Sequence, residues 1–331
     1  MSKSIAWKNK FLSSGLPLEH EVASLLASKG FVIKGEYPYT RRNFSDDVDC
    51  SVDLHANAYF PLGSKTELNG HLHLLAECKY RSDEKVWLFT PDLNPLVDHS
   101  PSWPNGLRQF SEFTTFTYDK TIIGELCCTP QVAMKGMELN LSNGQAHDTG
   151  IKHGINQLRY AMPSLTLDLL DFFGNHHPDD CAPLFILPIL VTNTPLRMLR
   201  DDLTVESVRQ AESLESISKE VMWVDAYSNF ADGFVHHCKV TSEESLCNLM
   251  KSKIGNIYPS FHNIHAQRHS DPAHQYGSPI TLMQTMFYRP MNQDHQQYWI
   301  CHASYLSELI DLVLSKITAT LATSKQDVFY K

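Results

Sequence analysis

The chain has 331 residues, 42% of them hydrophobic and 20% charged, with a net charge of −9; this is a globular composition, and the length supports a sizeable core. The longest apolar stretch, Leu184–Val191, is interrupted by Pro188 and is too short to span a bilayer. The acidic balance and the lack of a basic tail argue against a broad surface for wrapping nucleic acid, though not against a local basic groove.

In chain order, the first residues lack the apolar block of a signal peptide, so a cytoplasmic location is expected. The eight cysteines show no Cys-x-x-Cys pair and are expected to be small buried residues in a reducing compartment. Residues 17–30 predict an amphipathic helix, with Leu18, Val22, Leu25 and Leu26 at helical spacing, Pro17 in its opening turn and Gly30 as its stop. Phe31-Val32-Ile33 opens a strand that continues through Tyr37 and Tyr39. Residues 47–60 read as a second strand, with Val52 and Leu54 on one face and Asp53 on the other. Residues 71–81 read as a third, in which the apolar run Leu72–Ala76 leads into Glu77-Cys78-Lys79.

Four prolines make residues 90–108 a long loop, and residues 110–140 give no clear pattern. A helix is expected over 151–162 and ends at Pro163. Another spans Leu165–Phe173, and Leu184–Val191 reads as a buried strand. The second half predicts a charged helix over 204–219, a short strand Val221–Val224, a loop over 258–279 and an amphipathic helix Ser304–Thr323. The apolar band of that last helix needs a partner, either the body of the chain or a second copy.

Alternation along a strand sends Glu77 and Lys79 to one side and Cys78 to the other. If the second and third strands pair, Asp53, Glu77 and Lys79 can meet. Two carboxylates and an ammonium suit metal-assisted phosphodiester hydrolysis: hard oxygen ligands for Mg²⁺, and a cation beside the attacking water. Glu-x-Lys alone is short, and elsewhere it is often an exposed ion pair at a strand edge. Here the buried run before it and the upstream Asp53 raise its weight. Basic residues flank both strands: Lys34, Arg41 and Arg42 before one, Arg81 and Lys85 after the other. Asp46, Asp47 and Asp49 read as a solvated turn, with Asp49 an alternative ligand. Zinc is disfavoured, because His262, His265, His269, His274 and the loop pair His236-His237 lack finger-like or His-Glu-x-x-His spacing.

The order helix, strand, strand with Asp, strand with Glu-x-Lys and then helix with Gln resembles the PD-(D/E)XK nuclease superfamily over roughly residues 15–195. Leu18-Glu19-His20-Glu21-Val22 is similar to the opening helix of Mrr-like members, which makes Glu19 the acidic site residue and Glu21 its rival. Gln157-Leu158-Arg159-Tyr160 is similar to the Gln-containing helix of RecB-like nucleases, with one residue fewer between Gln and Tyr. The chain departs from the family pattern in having no Pro before Asp53 and a long stretch between Lys79 and the Gln helix.

The resemblance implies an α/β fold: a restriction-endonuclease-like mixed central sheet flanked by helices over 1–195, with an α+β C-terminal extension over 196–331. It implies Mg²⁺, or Mn²⁺, on Asp53, Glu77, the carbonyl of Cys78 and Glu19, with Lys79 and Gln157 completing the catalytic set. The expected function is endonucleolytic hydrolysis of nucleic acid, with DNA the first expectation and defence against foreign DNA a role suggested by family analogy. The alternative is a catalytically silent module that binds nucleic acid or a protein. No membrane partner is expected, and a homodimer and an activating protein or ligand remain open.

Overall fold

The structure is a computed structural model. It describes residues 3–62, 65–93, 106–110, 116–117, 119, 121–122, 125–128, 131–176, 183–227, 232–241 and 297–326. Helix α1 (Lys3–Ser13), which the sequence reading did not foresee, precedes α2 (Leu16–Ser28). Strands β1 (Val32–Arg41), β2 (Val48–Leu62), β3 (Lys65–Lys79) and β4 (Lys85–Pro91) follow. Next come β5 (Arg108–Phe110), β6 (Phe116–Thr117), β7 (Gln131–Asn140), β8 (Ala146–His147) and the long helix α3 (Thr149–His176). Strands β9 (Leu184–Thr192) and β10 (Leu196–Leu199) lead to the short helix α4 (Val205–Gln210). Strands β11 (Ser218–Val221) and β12 (Trp223–Tyr227), helix α5 (232–241), strand β13 (Gln297–His302), helix α6 (Leu306–Ala322) and strand β14 (Lys325–Gln326) complete the described elements.

Among the described residues, twelve strands form one mixed sheet in the order β1-β2-β3-β9-β13-β12-β7-β4-β10-β11, with β5 on β9 and β8 on β7. β1 to β3 are antiparallel, whereas β3, β9 and β13 run parallel. Every residue of β9 is buried, as expected of a strand covered on both faces. One face carries α3, whose Ile151, Ile155, Leu158 and Leu165 pack with Leu75, Ile186 and Leu190. The other carries α2 and α6, whose Leu18, Leu26, Leu309 and Val313 pack with Leu54, Ala76 and Val191. Helix α3 lies close on β9, because a Cβ at Gly154 would stand 2.7 Å from Leu190. The architecture is therefore a large mixed sheet flanked by helices. Among the described residues no helix is long and apolar enough to cross a membrane.

Several expectations are corrected. Residues 149–176 form one helix through Pro163 rather than two, since residues on both sides of the proline bury apolar side chains in the same core. Pro163 removes the backbone donor that would bond the Arg159 carbonyl, and the helix continues because of this shared burial; just past it Thr166 Oγ1 donates to Met162 O at 2.8 Å. The charged run 204–219 is helical at Val205–Gln210 and then passes to a 3₁₀ turn and β11. His236 and His237 lie on α5, not in a loop. The apolar band of α6 is covered by this chain's own sheet. The boundary expected at residue 195 falls between β9 and β10, and β10 to β13 belong to the same sheet as β1 to β9. Residues 94–105 of the predicted loop, and the whole of 258–279 with His262, His265, His269 and His274, lie outside the described residues.

Candidate active site

The sheet departs from simple alternation where Asp53 sits. Gly35 pairs with His55 and Tyr37 with Val52, so β2 spends one more residue than β1 over this step. Just before this step Ile33 pairs with Ala56 and Gly35 with His55, so there the extra residue lies on β1. Gly35 at φ +83° takes the left-handed geometry of a bulge glycine, and the β2 bulge follows it. As a consequence Val52 and Leu54 face opposite ways, contrary to the sequence reading. Val52 joins Tyr37 and Leu158 on the α3 side, while Leu54 joins Leu18 and Leu26 on the α2 side. The last β2–β3 ladder pair in this direction is Leu54 with Ala76. Beyond it the Asp53 carboxylate accepts the backbone N–H of Cys78 at 2.7 Å. A side chain thus replaces the ladder bond and is held against β3.

Glu77 and Lys79 project toward α3, as the period of two requires. Glu77 is fully buried and its Oε1 accepts a hydrogen bond from Lys79 Nζ within an ion pair. Lys79 Nζ also donates to Gln157 Oε1 at 3.0 Å, and Gln157 Nε2 donates to the Ser51 carbonyl at 3.1 Å. Gln157 is therefore no solvent-facing amide; it ties α3 to both β2 and the lysine of β3. Cys78 faces the other way, into the α2/α6-side core, where burial pushes its thiol well above the usual range. It offers the site its carbonyl rather than its sulfur.

The carboxylates are electrostatically loaded. Burial raises Glu77 to about 7; Lys79 opposes the shift and Asp53 adds to it. Asp53 is also raised, chiefly by burial, against the Cys78 N–H and Lys79, with the exposed Glu36 of β1 reinforcing the rise. Glu19 on α2 is half-buried and raised by burial and then by Asp53, so it stands in the field of the same site. Its rival Glu21 is exposed. Asp49 is exposed too and accepts from Thr40 at 3.3 Å, away from the pair.

Glu77 Oε2 is buried and meets no donor among the described residues. An acceptor-only oxygen left this way costs free energy unless a cation or a proton satisfies it. Among the described residues no three His, Cys, Asp or Glu side chains converge closely enough to hold a metal on their own. The donors on hand are a carboxylate pair, Asp53 and Glu77, with the Cys78 carbonyl and the more distant Glu19. That hard-oxygen set fits Mg²⁺, which is commonly held by one or two carboxylates with water completing the shell.

Five residues of the site's surroundings were not singled out as site residues from sequence. Glu36 adds negative charge on β1. His153 lies one turn before Gln157 on α3, hydrogen-bonds it and feels the charges of Lys79, Arg41 and Arg81. Arg41 lies over the ring of Tyr160 at 4.1 Å. Arg81 and Lys85 are both held by the buried Glu138. The basic residues are visible in the sequence, but which of them reach the site depends on strand register. No family model, no curated protein and no solved structure matches this chain.

Proposed function

We propose that this chain is a metal-dependent phosphodiesterase acting on nucleic acid, with DNA the first substrate to test, built on a restriction-endonuclease-like core. The observation that carries the reading is the convergence of Asp53, Glu77, Lys79 and Gln157 from three elements around a buried carboxylate oxygen with no donor. The order α2, β1, β2, β3, α3, β9, with β9 parallel to β3, supports it. Asp53 and Glu77 would hold Mg²⁺ or Mn²⁺ together with the Cys78 carbonyl, and Glu19 would complete the shell directly or through water. The bound ion would supply Lewis acidity at a phosphoryl oxygen.

The chain's own groups account for the rest. Lys79 keeps an ammonium beside the carboxylates, where it can orient a water and favour hydroxide. Gln157 prevents the flexible lysine stem from swinging away, because its amide is itself anchored on Ser51. Burial of Glu77 keeps water from screening these charges.

Cleavage of plasmid and single-stranded DNA in Mg²⁺, Mn²⁺ or EDTA tests the reading, with Asp53→Ala and Lys79→Ala alongside. Metal-dependent cutting, lost in both variants while their thermal unfolding stays cooperative, is the expected result. A fully active variant of either kind would remove the assignment. Correct folding with neither cutting nor metal binding would leave the silent binding module.

A further inference from the structure

We infer that the turn joining β1 and β2, together with α5, forms a subsite for single-stranded nucleic acid, in which Arg41 takes a backbone phosphate and the Phe44–His236 stack takes an unpaired base. The inference rests on the nuclease reading for its substrate, and on separate observations for its location. Arg41 is the first. Its guanidinium lies on the Tyr160 ring, its Nη2 makes a long 3.5 Å contact to Tyr160 Oη, and its buried Nε meets no acceptor among the described residues. Among the described residues no carboxylate pairs with it, whereas neighbouring Arg42 is paired with Asp47 at 2.5 Å. A partly buried cation held flat and without a counter-ion is ready for an anion.

The second observation is three residues along the chain. Phe44 is 73% exposed, yet its ring is stacked on His236 with centroids 4.2 Å apart and planes 28° apart. An exposed ring backed by a half-buried partner can offer its outer π-face, and bases stack on such faces whatever their sequence. The pair is not a loose loop tip. His237, next to His236, accepts the Arg42 backbone N–H at its Nδ1 (3.1 Å) and donates from Nε2 to the Tyr160 carbonyl (2.8 Å). This histidine fastens the turn, α5 and α3 together.

The third is position. Tyr160 follows Gln157 by one helical turn on α3, and Tyr39, two residues before Arg41, lies within the field of Glu77. His153 feels both Lys79 and Arg41. A strand entering along Arg41 therefore leads toward the carboxylates. In duplex DNA the bases are already stacked on each other, so an aromatic platform on the approach to the carboxylates selects an unpaired strand or a frayed end.

The test is fluorescence anisotropy in EDTA, where nothing is cut, with labelled oligo-dT, oligo-rU and a DNA duplex of matched length. The proteins are wild type, Phe44→Ala, Phe44→Trp, Arg41→Ala, Arg41→Lys and, as a control for the carboxylate site, Asp53→Ala. Wild type should bind a single strand more tightly than duplex. Phe44→Ala should weaken single-strand binding at least about fivefold and leave duplex binding unchanged, and Phe44→Trp should retain it. Arg41→Ala should weaken binding and lower the salt dependence by about one phosphate contact, with Arg41→Lys partly restoring it. The dT and rU arms identify which nucleic acid is preferred. Equal affinity of wild type and Phe44→Ala for single strands, or an equal loss on duplex, would overturn the subsite. Phe44-dependent binding in a protein that cuts nothing would uphold the subsite and remove the nuclease reading. Asp53-dependent cutting that is indifferent to Phe44 would do the reverse.

Discussion

At the scale of single residues, the decisive group is Glu77. It is fully buried beside a second carboxylate, and burial raises its pKa from the ordinary 4.5 to about 7. The sign of the consequence follows from proton counting. Between about pH 4.5 and 7 the folded chain keeps a proton that the unfolded chain has released, so stability falls as pH rises through that window. Replacing Glu77 by Gln removes the titration. In EDTA the thermal midpoint of Glu77→Gln relative to wild type should therefore climb from pH 5 to pH 8; parallel curves would contradict the buried acid. A divalent ion should act in the opposite sense, since it binds the deprotonated carboxylate and competes with the proton. Added Mg²⁺ should then raise the wild-type midpoint more at pH 8 than at pH 5.5, and should do little for Glu77→Gln or Asp53→Ala.

At the scale of elements, α3 matters through one side chain and the β1–β2 pair through its bulge. Gln157 makes one hydrogen bond to a charged ammonium and one to a backbone carbonyl. Losing a bond to a charged group typically costs about 1.5–3 kcal/mol, roughly 10- to 100-fold in rate if it is felt in the transition state. Gln157→Ala should cut turnover by that order and shift the thermal midpoint little, because the residue is half-buried; unchanged turnover would make Gln157 structural only. Farther along the α3-facing side of β2 and β3, His55 Nε2 meets His73 Nδ1 at 3.1 Å, while among the described residues His73 Nε2 and the Asn57 amide are buried without partners. Burial holds His55 down to about 4 and His73 to about 2. Here the unfolded chain takes up protons first, so stability is lost as pH falls below about 6.5. Circular-dichroism melts from pH 7 to 4.5 should show that loss in wild type, and less of it in His73→Leu. Much of the site was legible at this scale. Glu77 and Lys79 could be read from a period of two, and Gln157 from its place on a helix after the Glu77/Lys79 strand. Asp53 was named from the same period, but the bulge rather than alternation sets its place against β3. The opposite facing of Val52 and Leu54 was not legible, because a bulge is set by pairing with β1 and by Gly35, not by the β2 sequence. The continuity of α3 through Pro163 was hidden for a similar reason: tertiary burial on both sides of the proline outweighs its local preference.

For the whole molecule, the question is whether residues 1–195 stand alone, as a division into core and extension supposes. The pairing argues that they do not. β13 lies against β9 from Ile189 to Thr192 and links it through β12 to β7, so residues far along the chain join the two parts of the sheet built from the first half. Helix α6 buries Leu306, Leu309, Ile310, Val313, Ile317 and Leu321. These pack in the same core as Leu54, Ala56, Ala58 and Phe60 of β2. Without α6 and β13, that apolar face and the β9 edge would meet water, and an unpaired hydrophobic edge is a template for aggregation. Burying such side chains is worth about 1.5–3 kcal/mol each, whereas a domain's net stability is about 5–15 kcal/mol, so the loss of six exceeds what the remainder can supply. A chain ending at residue 195 should therefore aggregate, or show no cooperative thermal transition by circular dichroism and size-exclusion chromatography. A monomeric, cooperatively melting 1–195 fragment that still cuts DNA in Mg²⁺ would show that β10 to β13 and α6 are dispensable, and that the three-layer core is complete with fewer strands than the sheet contains.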